Sequence, residues 1–147
     1  MNNDAIRAMI AAHPEADDAG IVALFAADRD VWVDVAVAEL EGVCRMAGIL
    51  SRLDDLVVAN PQPGFARTAA LELLGMIRGK MVRIEMIDPA KRGGILAMLG
   101  ALVAVEWVAE DERDAILALA QARRTLAEIE GCAGIQAEHV AIARAGG

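Results

Sequence analysis

Any chemistry in this chain would have to start from two histidines and two cysteines, and neither pair stands at a working spacing. His13 precedes Pro14, and His139 follows Glu138 near the far end. A di-metal helix bundle needs Glu-x-x-His, which puts a carboxylate and an imidazole on one helix face, and the chain has no such pair. A zinc site would have to gather Cys44, Cys132, His13 and His139 from four distant places, whereas structural zinc ligands come in closely spaced pairs. No metal ion and no cofactor is expected. Cys44 shares an apolar face with Leu40 and Val43 and reads as a small core residue, while Cys132, bounded by Gly131 and Ala133-Gly134, reads as more exposed. A nucleophile, a base and a carboxylate could be assembled only from Cys132, His139 and Glu106, and no local motif joins them.

The carboxylates point the same way. Asp54 and Asp55 are adjacent on a helix and project about 100° apart, so they form no two-carboxylate site. Glu110-Asp111-Glu112 opens a helix, where the dipole favours anions. Glu106 interrupts an apolar run and is the most conspicuous single acid. No Walker loop, G-x-G-x-x-G or G-x-S-x-G occurs, and Gly93-Gly94 after Lys91-Arg92 reads as a solvated helix start. The chain is expected not to be an enzyme and to have no small-molecule substrate.

The elements that must position these residues are helical. Alanine occurs 31 times, tyrosine is absent and aromatics are 3% of the 147 residues, which favours helices over strands. Apolar residues make up 56%, enough for a core and too many for a disordered chain. Helices are predicted from Asn3 or Asp4 to Ala12, from Asp17-Asp18 through Phe25, up to Gly48, and over Ile49–Ala59. Others cover Phe65–Arg78, Pro89 to about Val103, Glu110–Ala120 and Ala137–Ala145, with a capping-box start at Thr125-Leu126-Ala127-Glu128. Residues 31–37 and 82–86 alternate as strands do and are expected to pair as a minor two-stranded ribbon. The expected fold is all-α, a compact bundle of six to eight short helices in one domain, 1–147. Asn60-Pro61-Gln62-Pro63-Gly64 marks the place where it would divide, if anywhere.

Charge narrows the partners. Fourteen basic residues stand against 22 acidic ones, a formal −8, which argues against nucleic acid because phosphates are held by Lys and Arg. The longest charge-free stretch, Gly93 to Val105, is 13 residues, short of the ~20 that span a membrane. No basic region precedes an apolar one at the N-terminus, so neither a signal peptide nor a membrane association is expected. Against the acidic background, Arg78, Lys80, Arg83, Lys91 and Arg92 fall within fifteen positions, a charge asymmetry suited to head-to-tail packing of identical subunits or to an acidic partner. With the apolar Trp32, Met81, Met86 and Trp107 they are the expected interface.

The last third has a recognisable order. Asp88-Pro89, Met98-Leu99-Gly100-Ala101-Leu102-Val103-Ala104 and Glu110–Ala120 are followed by Arg123-Arg124-Thr125-Leu126-Ala127-Glu128 and by Gly134 to Arg144. This resembles small all-α proteins encoded among the tail genes of tailed bacteriophages, and Ala16 to Asp30 resembles their opening. Thr125-Leu126 and the Ala133–Gln136 turn depart from that pattern. A shorter likeness, Arg124–Gly131 with Ile135–Val140, is to the lid helices of magnesium-chelatase-type ATPases, which need a phosphate loop this chain lacks. The tail-gene resemblance implies a structural protein of the virion, assembled in the host cytoplasm, with copies of itself or other phage structural proteins as partners. A soluble assembly factor is the alternative it leaves.

Overall fold

The computed structural model describes residues 1–146. In chain order the helices are α1 (Asn3–Ala12), α2 (Asp18–Phe25), α3 (Val37–Met46), α4 (Ile49–Ala59), α5 (Phe65–Arg78), α6 (Pro89–Ala104), α7 (Glu110–Ala118), α8 (Leu126–Ile129) and α9 (Ala137–Arg144). Four short strands accompany them: β1 (Asp28–Trp32), β2 (Val35–Ala36), β3 (Arg83–Ile84) and β4 (Gln121–Thr125). The fold is helical, as composition predicted, and carries two small antiparallel sheets where one ribbon was expected.

The ribbon between 31–37 and 82–86 forms only at its centre, where Val35 faces Ile84 and Ala36 faces Arg83. The earlier half of the first run belongs to β1, which pairs instead with β4. Residues 121–125 carry no strand signal in sequence. Their pairing is fixed by backbone bonds on either side, Leu126 N–H to the Ala27 carbonyl (2.9 Å) and Val33 N–H to the Ala120 carbonyl (2.7 Å).

Two compact units emerge. One comprises Met1–Val31 with Arg123–Gly147, the other Trp32–Ala122, so the chain passes between them in β1 and β4. The break at 60–64 is not a division between units. It joins α4 to α5 inside the second.

Each unit has its own core. In the first, Ile6, Ile21, Phe25, Cys132 and Val140 are fully buried. Asp17 caps α2 by accepting from Gly20 N–H at 2.7 Å, and Arg144 bonds to Asp18 (2.6 Å) and to the Ala16 carbonyl (2.6 Å). Thr125 and Glu128 form the predicted capping box, Glu128 N–H donating to Thr125 Oγ1 and Thr125 N–H to Glu128 Oε2. In the second unit Leu53, Leu73, Leu99, Leu102 and Val108 lie at the centre. Asp88 caps α6 by accepting from Ala90 N–H at 2.9 Å, with Pro89 in the first turn, where its missing N–H costs nothing. Gly93 and Gly94 therefore lie inside α6 and not ahead of it. Among the described residues no helix is long and apolar enough to cross a membrane.

Candidate functional site: a methionine-lined groove

The basic cluster is largely partnered in place. Arg78 makes a two-pronged bond to Asp54 (2.7 and 2.6 Å), which lowers the Asp54 pKa and raises that of the guanidinium. Lys91 is bonded to Glu85, and that bond raises the ammonium pKa. Arg92 stacks over the Trp32 ring at 5.0 Å and donates to the Met86 carbonyl. Arg83 has only a long contact, 3.9 Å, to Asp34, whose Oδ1 already accepts from the N–H groups of Met86 and Ile87. Lys80 is exposed and makes no ion pair among the described residues.

Of the expected interface residues, Met86 is not available: at 2% exposure it is core, because the bonds of its backbone to Asp34 turn its side chain inward. Trp32 and Trp107 are half-buried and pack against the same core. Met81 is 51% exposed, and Val82 beside it 81%.

What the structure adds is a recess behind these residues. An open groove of about 770 Å³ runs between the end of α5, the 81–85 segment and the first turns of α6, walled by Met76, Met81, Ile84, Ile95 and Met98. Glu72, Arg83, Glu85 and Lys91 stand on its lip. Gly75 and Gly94 open it from opposite sides, and a Cβ on either would meet nothing within 4 Å. Their lack of a side chain is thus not forced by packing. Met81, Arg83 and Lys91 were found from sequence. Met76, Ile95 and Met98 were not, because on a helix face they read as ordinary core; two glycines in mid-helix beside methionines were the signal that marked them.

At the other end of α6 the chain closes tightly. Glu106 N–H bonds to the Val103 carbonyl and Trp107 N–H to the Leu102 carbonyl, both 3.0 Å, with Glu106 at φ 61°. This is a Schellman turn with glutamate in the left-handed position that favours glycine. Arg52 braces it, donating to the Trp107 carbonyl (3.2 Å), the Ala47 carbonyl (3.2 Å) and both Glu112 oxygens (2.6 and 2.7 Å). Glu112 also accepts from Ala109 N–H (2.9 Å) and is 14% exposed. These bonds, Arg52 foremost, hold its carboxyl below the usual range.

The remaining candidates are not brought together. Cys132, expected to be exposed, is fully buried with Sγ 3.5 Å from the Asn2 carbonyl oxygen. His139 Nδ1 accepts from Gln136 N–H at 3.0 Å at the start of α9, and Glu106 belongs to the other unit. His13 lies 3.6 Å from Glu15. Burial, then Glu112, pushes the Cys44 thiol up to about 11. Among the described residues no group of three or more His, Cys, Asp or Glu is placed to hold a metal ion. Compared with family models, curated proteins and solved structures, the chain matches none.

Proposed function

We propose that this chain is a non-enzymatic structural protein of a bacteriophage virion, tail-associated, that works through protein–protein contacts. One observation carries the contact part of the reading: the methionine-lined groove, open to solvent, with Met81 on its wall 51% exposed. Exposed apolar surface beside an open recess marks interaction sites in soluble proteins. The virion part rests on the tail-gene resemblance of residues 88–144. Mass spectrometry of purified particles tests it. The chain should be present at a fixed ratio to the major tail proteins. Abundance in the infected-cell lysate with absence from particles would contradict it.

A soluble assembly factor that binds a virion protein and then leaves is the second reading. The groove's thioether lining favours it, since methionine adapts to partners of different shape.

A further inference from the structure

We infer that the groove receives the acidic turn 105–111 of a second copy of this chain, so that copies join head to tail along α6. The inference rests on the structural-protein reading and specifies its contact.

Both surfaces lie in the Trp32–Ala122 unit, at different heights along one helix. Ile95 and Met98, near the middle of α6, wall the groove, and the turn follows its C-terminus. Seven residues separate Met98 from Val105, about 10 Å of rise along one helix, so one copy's turn does not occupy its own groove. The turn offers a half-exposed aliphatic tip, Val105, flanked by Glu106, Glu110 and Asp111. None of these three acids makes an ion pair among the described residues. The neighbouring Glu112 and Asp114, by contrast, are taken by Arg52 and Arg113.

The groove offers the complement: an apolar trough with Arg83, 71% exposed and held only at 3.9 Å by Asp34, and Lys80, outside the lining but next to the wall residue Met81 in the chain. Glu85 is occupied by Lys91, which leaves Glu72 as the one uncommitted acid on the lip. Lys80, which makes no ion pair among the described residues, and Arg83, held only by its long contact to Asp34, therefore stand with one uncommitted acid opposite three uncommitted anions.

Glu106 supplies an independent reason. It holds a left-handed conformation that glycine would adopt without strain, so a carboxylate stands there at a cost to the turn. A contact that needs the charge accounts for it. Two different surfaces meeting in this way give a heterologous interface, which propagates into rings or helical arrays.

The test uses two full-length variants in sedimentation velocity. A groove-blocked copy carries Gly75→Leu and Arg83→Glu, the first filling open space on a helix. A turn-blocked copy carries Glu106→Lys and Glu110→Lys. Wild type should grow in mass with concentration, each variant alone should weaken association at least tenfold, and their equimolar mixture should stop at twice the 15.5 kDa of one chain. If a double variant fails to fold, Arg83→Glu and Glu110→Lys alone, both at exposed side chains, carry the same comparison.

A monomeric wild type overturns the inference. So does a mixture no more associated than its components, or a pair of variants that still assemble alone, which would place the contact elsewhere or with another protein. A chain found in particles yet monomeric in solution contradicts this contact and leaves the virion reading standing. Capped dimers from a chain absent from particles would do the reverse.

Discussion

The two ends of α6 use the same residue types to opposite effect. At its C-terminal end both terminal nitrogens of Arg52 and both oxygens of Glu112 are bonded to each other or to backbone groups, so the turn is fixed. Toward its N-terminal end the charges sit around a trough left open by Gly75 and Gly94, where Met81 on the wall is 51% exposed. A cluster bonded to the chain itself contributes to folding, and one held by side-chain pairs beside an exposed Met81 is free for a partner. The difference is geometric: both ends carry ion pairs, but only the first also satisfies chain carbonyls, Ala47 and Trp107, from the same guanidinium.

Substitutions should separate the two ends by stability. Leu102→Ala, at a fully buried position beneath the closed turn, should cost about 3 kcal/mol in denaturant unfolding. A loss below about 1 kcal/mol would mean that the end is not packed as described. Glu112→Gln leaves Arg52 half-satisfied and should cost about 2 kcal/mol, discounted from a fully buried pair because Arg52 is 37% exposed.

That pair also has an acid signature. Glu112 is held below the ~4.3 of an unfolded glutamate, so the stability it contributes is complete above that value and is lost as pH falls through its folded pKa. Wild type should lose stability below about pH 4 more steeply than Glu112→Gln does. Parallel acid limbs would refute the role given to the pair.

Smaller effects run in the opposite direction. Glu106→Gly relieves the left-handed strain, and Gly75→Ala adds helix propensity in open space; each should raise stability by about 0.5–1 kcal/mol in thermal melts. The first should nevertheless weaken self-association. Met81→Ala, on the groove wall, should change stability by less than about 0.5 kcal/mol while reducing association. A large stability loss there would make the groove a folding feature and erase the contrast between the two ends.

Much of this was legible in the chain because the signals are local. Asp88-Pro89, Asp17 and the Thr125–Glu128 box each satisfy their own helix N-terminus within three residues, so the start is written where it occurs. What failed depends on distant partners. Residues 121–125 become a strand only because 28–32 lie beside them, and residues 31–32 thereby leave the ribbon with 82–86. Met86 and Cys132 sit in short segments whose burial is decided by Asp34 and by the core around Ile6 and Val140. The groove was half visible, as Met81, Arg83 and Lys91. Its other wall, half-buried Met76 and Ile95 with buried Met98, carries the spacing of any core helix, and Gly75 and Gly94 leave the space beside it open.

The central claim is that the chain works by binding copies of itself through this groove, and light scattering over a concentration series at low and high salt tests it most directly. The account predicts a mass above 15.5 kDa that rises with concentration at low salt and falls as salt screens Arg83 and Lys80 from the acidic turn. A mass of 15.5 kDa at every concentration in both buffers would contradict it.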